Sequence, residues 1–320
     1  MAKTLCGRGL DALLRDDYFF IGGIKFGGLF SEVSGKDKFV LKGGVSFMYF
    51  ITISELFGTD GDKIAQEVAK SLNYTYYGED ELLKAADQMG FLADVQEMDE
   101  KGPALLERFF SEKPRVYLDR LQSVIFEVAK KGDAIFFGKG SQLLLNSFGC
   151  ALHVLVTGSP EKRIDRIMRQ KGVGREIAGK MMEASDHDKK GFFRFAFNQD
   201  WLDPHLYDLI LNTDKLSVES AAKMVVDAAR SGEIKACGTD SVSLLGKLSL
   251  HRKVESALLE AGVTNHRVFF TIEDADSVRV YGLTYSSEEK ESVEKVLKGM
   301  KDIKKLTNEL VMFKGSMGGM

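Results

Sequence analysis

A glycine-containing loop, SELFGTDG at residues 54–61, is the first segment of this chain whose residue types can do chemistry. It lies between a short apolar run and a stretch with helical periodicity. Backbone N–H groups at the start of a helix are unpaired and lie at the positive end of the helix dipole, so they attract phosphate. Lys63 follows in the first helical turn and can reach back towards such an anion. The candidate phosphate-binding residues of this loop are Gly58, Thr59, Gly61 and Asp62.

The same loop is acidic, which opposes phosphate binding. Glu55, Asp60 and Asp62 are its carboxylates. A carboxylate about 5 Å from a phosphate oxygen repels it by roughly 3 kcal/mol at an effective dielectric constant near 20, more than the ~2 kcal/mol that a helix terminus offers. Mg²⁺ can reverse this repulsion by bridging carboxylates to phosphates. A second interpretation is that Asp60 or Asp62 caps the helix, as this residue type often does.

Basic side chains recur further along the chain. Arg163, Arg166 and Arg169 follow one another at intervals of three residues, which predicts that they share one helix face. Lys139 lies in a Gly-Lys-Gly turn that follows an apolar run. A second charged segment contains Asp186, Lys189, Lys190 and Arg194. Each of these groups can contact phosphate, or it can be an ordinary solvated surface charge.

The elements that must position these residues form an alternating pattern of short apolar strands and amphipathic helices. This alternation predicts an α/β fold with a doubly wound parallel sheet, whose ligand site lies at the carboxyl ends of the strands. The predicted strands are residues 49–53, 74–77, 134–137, 152–156 and 209–211. The predicted helices among them begin near residues 62, 79, 116, 160 and 217.

Composition divides the chain into segments. Residues 231–246 are small and polar and predict a flexible linker, and after them the pattern changes to α-β-β-α-β, a small α+β unit expected to fold independently. The predicted divisions are a glycine-rich N-terminal extension at 1–47, a main domain at 48–230, the linker, the small domain at 247–313 and a frayed tail at 314–320. A β-hairpin arm is one interpretation of the N-terminal extension. We instead expect translation to start at Met48, because Lys42-Gly43-Gly44 can be encoded by a purine-rich stretch that resembles a bacterial ribosome-binding site.

The bulk properties exclude several classes of function. A net charge of −3 and a pI near 6.0 give no overall attraction to nucleic acid or anionic membranes. No apolar stretch is long enough for a transmembrane helix. The histidines show no ligand spacing, so no metal site is predicted. Cys6, Cys150 and Cys237 lie far apart in the sequence, which predicts free thiols in a reducing compartment, by default the cytoplasm.

Several motifs in order resemble the cytidylate kinase-like branch of the nucleoside monophosphate kinases. They are ITISELFGTDGDKIAQEVAKSL, FEVAKKGDAIFFGKGSQLLL, SPEKRIDRIMRQKG and DWLDPHLYDLILNT. The resemblance implies a P-loop kinase fold with a helical lid, and transfer of phosphate from ATP with Mg²⁺ to a cytidylate-type nucleotide. It implies catalytic roles for Lys63, Arg163, Arg166 and Arg169, and it places Lys139 where relatives carry an arginine that contacts the acceptor phosphate.

The phosphate loop departs from the pattern of that family. Gly61 stands at the position of the phosphate-binding lysine, Lys63 at that of the Mg²⁺-binding hydroxyl, and Glu55 at that of the first glycine. Three functions therefore remain open: a working kinase with an altered loop, a kinase fold that binds a nucleotide without turnover, and a scaffold that has lost its ligand.

The C-terminal runs KVESALLEAGV and TNELVMF resemble a BON module, which implies an anionic lipid or a protein as partner. The exposed basic residues that would meet an anionic surface are Lys295, Lys298, Lys301, Lys304 and Lys305. A plain solvated helix face is the alternative.

Overall fold

The computed structural model describes the chain over residues 18–21, 24–27, 49–97, 113–234, 237–263 and 267–313. Near the N-terminus, β1 (Tyr18–Ile21) and β2 (Ile24–Gly27) pair as antiparallel strands. The expected translation start at Met48 and the frayed tail at 314–320 lie outside the described residues.

A five-stranded parallel sheet forms the main domain, as the alternating pattern predicts. Its strands are, in spatial order, β4 (Thr75–Tyr77), β5 (Ala134–Phe137), β3 (Phe50–Glu55), β6 (Ala151–Thr157) and β7 (Leu209–Asn212). The central strand β3 pairs with β5 on one side and β6 on the other. Because both faces of β3 are covered, its residues 50–54 are all buried, which is why this strand reads as an unbroken apolar run.

Helices cover both faces of this sheet and create two separate cores. On one face, Ile51 and Ile53 of β3 pack with Ile64 and Val68 of α1. On the other face, Phe50 packs with Phe136 and with the apolar side of α4. The helices of the main domain are α1 (Gly61–Leu72), α2 (Glu79–Met89), α3 (Leu92–Glu97), α4 (Lys113–Ala129), α5 (Ser141–Leu144), α6 (Pro160–Lys171), α7 (Arg175–Phe197) and α8 (Val218–Ala229).

The helices α6 and α7 form the lid-like hairpin over the carboxyl end of the sheet. They pack on each other through Ile167, Ala178 and Met182, and Phe57 of the loop after β3 joins this cluster. Both charged segments singled out in the sequence lie on this hairpin, the arginines on α6 and residues 186–194 on α7. The hairpin thus brings them over the glycine-containing loop.

The C-terminal unit has the predicted α-β-β-α-β order and a core of its own. Its elements are α9 (Thr239–Glu260), β8 (Val268–Asp274), β9 (Ser277–Thr284), α10 (Ser287–Gly299) and β10 (Lys305–Met312). The strand β9 lies in the centre, antiparallel to β8 and parallel to β10. Val278 and Val280 of β9 pack under Val293 and Leu297 of α10.

The segment predicted as a flexible linker is helical in its second half. Helix α9 begins at Thr239, so residues 239–246 form its first two turns. Leu245 is fully buried in the core of the main domain, and Ser249 Oγ donates to the carbonyl of Ser123 on α4. The helical pattern is difficult to recognise in the sequence, because most residues of this segment are small and polar. Its apolar contacts with the main domain come from Val242, Leu244, Leu245 and Leu248. The expectation of a flexible attachment is therefore wrong, whereas independent folding of the unit stays a prediction.

A disulfide also joins this region to the main domain. Cys150, next to the start of β6, is bonded to Cys237, and the two Cα atoms lie 5.3 Å apart. The prediction of free thiols is wrong for these two residues, because 87 residues separate them in sequence and only folding brings them together. The inference of a reducing compartment loses its basis with it. Among the described residues, no helix has the length and apolar character needed to cross a membrane.

Candidate active site

The loop between β3 and α1 is closed by a side chain of its own. Glu55, the last residue of β3, folds back so that its Oε2 accepts a hydrogen bond from the N–H of Gly61 at 2.8 Å. The same oxygen lies 3.2 Å from Thr59 Oγ1, and this hydroxyl also donates to the carbonyl of Leu56 at 2.9 Å. The first N–H of α1, which would otherwise face a phosphate, is thus already bound to a carboxylate.

Two glycines make this close packing possible. A Cβ at Gly61 would lie 2.7 Å from the Cβ of Glu55 and 2.8 Å from its Oε2, so any larger residue would displace the carboxylate. Gly58 has φ +89°, and a Cβ there would lie 2.9 Å from the carbonyl oxygen of Arg163 on α6. Gly58 and Gly61 were both predicted to bind phosphate. In the structure, they instead allow the loop to pack closely against α6 and against the Glu55 side chain.

Burial raises the pKa of Glu55, whereas the Lys189 ammonium and the Gly61 N–H lower it. Lys189 extends from α7 and donates to the backbone carbonyl of Glu55 at 2.7 Å. Its ammonium also lies 5.6 Å from the centre of the Trp201 ring. The lid hairpin thus supplies the positive charge next to the buried carboxylate.

Neither of the other two acidic residues of the loop caps α1. Asp60 occupies the position before the helix, but its backbone is left-handed (φ 60°), and its side chain makes no capping bond, since a cap requires an extended backbone. Its carboxylate instead pairs with Lys63 Nζ at 2.7 Å and accepts from Gln170 on α6 at 2.8 Å. Asp62 accepts hydrogen bonds from Gln66 at 3.0 Å and from the hydroxyl of Tyr76. The capping interpretation is wrong for both residues.

The arginines of α6 are divided between the loop and the solvent. Arg163 is buried and donates through Nε to the carbonyl of Phe57 at 2.8 Å, and through both terminal nitrogens to Asp186 at 2.9 and 2.7 Å. Arg166 donates to the hydroxyl of Thr213 at 3.0 Å and to its carbonyl, and it lies 3.5 Å from Asp60.

Arg169 is exposed and donates to the carbonyl of Asp165 on its own helix at 3.2 Å. The prediction of one shared arginine face is therefore wrong for this residue. Each three-residue step advances the helix by about 300°, so the third arginine is turned about 120° away from the first.

The remaining basic candidates differ in exposure. Lys139 has φ 56° between two left-handed glycines and lies 3.4 Å from Glu79, with 12% of its side chain exposed. Lys190 and Arg194 are exposed on α7. The structure thus gathers Lys63, Arg163, Arg166, Asp186 and Lys189 around the loop, whereas Arg169, Lys190 and Arg194 point outwards.

Residues 50–215 match the model of the Cytidylate kinase-like family. The chain belongs to this family. It is 25% identical over 181 residues to the cytidylate kinase of Methanocaldococcus jannaschii, an alignment that covers 56% of this chain and 96% of the relative. Family membership supports a nucleotide-kinase-like function. The match ends before α8 and α9, so the resemblance of the C-terminal unit to a BON module stays a prediction.

Solved structures of other proteins are similar to more than half of this chain. An uncharacterized protein from Eubacterium ventriosum matches 57% of this chain and 98% of its own, with 22% identity and a TM-score of 0.47. Shikimate kinase from Bacteroides thetaiotaomicron matches 57% of this chain and 99% of its own, with 14% identity and a TM-score of 0.37.

The kinase-like domain does not fit the ATP and Mg²⁺ that the family implies. Around the loop, the four cations Lys63, Arg163, Arg166 and Lys189 are matched in number by four carboxylates. Those carboxylates are Glu55, Asp60, Asp62 and Asp186. With Gly61 N–H bound to Glu55, this loop offers a phosphate neither an unoccupied donor there nor net positive charge.

Sequence reasoning missed the partners of these charges rather than the charges themselves. Thr213, which follows β7, donates to the carbonyl of Thr59 at 3.2 Å and binds Arg166. Gln170 binds Asp60 from the last turn of α6. A threonine directly after the last strand is the only signal in the sequence for the first contact, and no signal indicates the second.

Proposed function

We propose that this member of the cytidylate kinase-like family keeps the kinase fold without transferring phosphate from ATP, and acts as a binding scaffold. The observation that carries this proposal is the set of hydrogen bonds made by Arg163. Three hydrogen bonds engage its guanidinium, one to Phe57 and two to Asp186, and the side chain is 5% exposed. Asp186 is 32% exposed, and Arg163 would have to give up this charge-assisted, two-point bond before it could bind a phosphate.

Phosphoryl transfer needs positive charge and positioning at the transferred group. Gly61 stands where the family pattern has a lysine, and Lys63 is paired with Asp60. We therefore do not expect ATP or Mg²⁺ to be cofactors of this chain, although a nucleotide of the cytidylate type can still bind elsewhere on the sheet edge, for example near Lys139.

A direct assay tests the proposal. The full chain is incubated with ATP, Mg²⁺ and cytidylate, and the diphosphate product is separated by anion exchange. We expect no product above the protein-free blank, while the M. jannaschii cytidylate kinase serves as the positive control. Sustained formation of cytidine diphosphate by this chain would overturn the proposal.

The second candidate is a working nucleoside monophosphate kinase that uses ATP and Mg²⁺. It is favoured by the alignment, which runs through 96% of the length of the cytidylate kinase relative. In this case Lys63, Arg163 and Arg166 would have to leave their present partners when ATP binds. A thermal-shift screen with nucleotides, with and without Mg²⁺, separates the candidates, because a ligand of the native state raises the melting temperature.

The scaffold role is supported by the C-terminal unit. Phe269, Tyr281, Leu283 and Val311 are between 39% and 61% exposed, and large apolar patches on a protein surface mark binding sites. The exposed basic residues predicted from the sequence lie on α10 and the turn after it, where Lys298 pairs with Glu294 and Lys304 with Asp276. We propose a protein or an anionic lipid as the partner.

Co-sedimentation of the full chain with anionic vesicles separates these partners. Salt-sensitive recovery in the pellet supports the lipid. Equal recovery in the supernatant with and without vesicles removes the lipid and leaves the protein partner.

A further inference from the structure

We propose that Glu55 is a built-in anion that occupies the phosphate loop, so that this loop accepts a phosphate only when the carboxylate is removed. This inference rests on the proposed function, because it names the group that keeps the kinase site closed. It concerns the N–H of Gly61 and its acceptor, Glu55 Oε2, which lie 2.8 Å apart.

The N–H of Gly61 is already occupied by an acceptor, Glu55 Oε2. A backbone N–H has one proton to donate, and this proton already points at a carboxylate oxygen, the same chemistry that a phosphate oxygen offers. The Glu55 side chain also fills the space in front of Gly61, since a single added Cβ at Gly61 would lie 2.7 Å from the Cβ of Glu55. A phosphate cannot bind there until this side chain leaves.

The surrounding protein holds the carboxylate of Glu55 in place. Thr59 Oγ1 lies 3.2 Å from the same oxygen, and Lys189 reaches from the lid to the carbonyl of Glu55 at 2.7 Å. The lid itself is fixed over the loop by the pair between Arg163 and Asp186. Loop, carboxylate and lid therefore form one connected set of bonds, and opening the loop requires a change at Glu55.

A second helix of this domain, α2, also begins with a contact between a glutamate and a backbone N–H. Glu81 makes a similar contact at the start of α2, where its Oε2 accepts from the N–H of Gly78 at 3.3 Å. That contact is an ordinary capping arrangement, three residues apart in sequence. Glu55 instead reaches its N–H across the whole glycine-containing loop, six residues away. Glu81 is thus a matched control for removing a carboxylate from a helix start outside the phosphate loop.

The experiment measures binding of inorganic phosphate and tripolyphosphate to the full chain by calorimetry, at pH 7.5 and low salt. We expect no binding to the wild type and to Glu81→Ala. We expect Glu55→Ala to bind tripolyphosphate with an affinity at least about 100-fold above the detection limit of the wild-type titration, because one nearby negative charge and one competing acceptor are gone. Glu55→Gln, which keeps an acceptor for the Gly61 N–H, should gain less than Glu55→Ala.

Three results would overturn the inference: equal binding by the wild type and Glu55→Ala, an equal gain for Glu81→Ala, or a gain for Glu55→Gln that matches Glu55→Ala. If Glu55→Ala does not fold, the amide resonance of Gly61 in the wild type decides the question. We expect it to stay unchanged on addition of phosphate, and a saturable shift would overturn the inference. The readout is binding, so equal binding by the wild type and Glu55→Ala would overturn this inference and leave the proposed function standing, whereas turnover of ATP by the wild type would overturn both.

Discussion

The glycine-containing loop at residues 54–61 and the interface between α4 and α9 both contain buried charged side chains, but these charges have different roles. In the loop, carboxylates neutralise the cations and one of them takes a backbone N–H that a ligand would need. In the interface, Arg252 of α9 lies 3.0 Å from Asp119 of α4, with 9% and 8% of their side chains exposed. There the pair holds two parts of the chain together.

The comparison teaches that the type and number of charges do not reveal a binding site. In the loop, the half-buried carboxylate of Glu55 binds the main chain at the start of a helix. In the interface, side chains bind side chains, as when Lys253 contacts Glu127 at 3.4 Å and Asp302 at 2.8 Å.

Breaking the interface pair should give the largest effect. Arg252→Ala leaves Asp119 buried without its partner and should lower the free energy of unfolding by about 3–5 kcal/mol at pH 8. The exposed pair between Arg279 and Glu273 is the control, with 45% and 29% of the side chains exposed, and Arg279→Ala should cost less than ~1 kcal/mol. Urea denaturation measures both, and equal losses would show that burial does not matter here.

Removing the disulfide should weaken the same junction. Cys237→Ser opens a covalent loop spanned by 87 residues, which should cost about 2–4 kcal/mol because the unfolded chain regains conformational freedom. A reductant should lower the melting temperature of the wild type and leave Cys237→Ser unchanged. Cys6→Ser is the control. A wild type whose melting temperature ignores the reductant would contradict this prediction.

The pH dependence of stability should report on Asp119. Burial raises its pKa from 3.8 to about 7, against the opposing effect of the Arg252 guanidinium. The folded protein therefore binds this proton more tightly than the unfolded chain does. The stabilising contribution is complete below pH 4 and is lost as the pH rises through 7, with a slope of at most about 1.4 kcal/mol per pH unit. Asp119→Asn should remove this slope, and an unchanged profile would assign it to another group.

The arginine that faces the solvent should give the smallest effect. Arg169→Ala removes an exposed side chain that contacts its own helix and should change the free energy of unfolding by less than ~0.5 kcal/mol. Arg163→Ala, on the same helix, should cost several times more. If the two variants behave alike, the division of the arginines between loop and solvent does not hold.

The sheet was predictable from the sequence because parallel strands buried on both faces read as short apolar runs. Residues 50–55, 134–137 and 209–212 illustrate this, each within two residues of its predicted bounds. The start of α9 was not predictable in the same way. Its first turns bury one narrow apolar side, through Leu244, Leu245 and Leu248, and the neighbouring Ser241, Ser243 and Gly246 read as a linker.

The residues of the candidate site are present in the sequence, but their contacts are not. The sequence by itself determined the alternating fold and the acidic character of the loop. Only the tertiary structure decided that Glu55 binds Gly61, that Arg163 binds Asp186 and that Cys150 binds Cys237. The physical reason is that a charge or thiol takes whichever partner packing brings within about 3 Å, and packing joins residues that lie far apart along the chain.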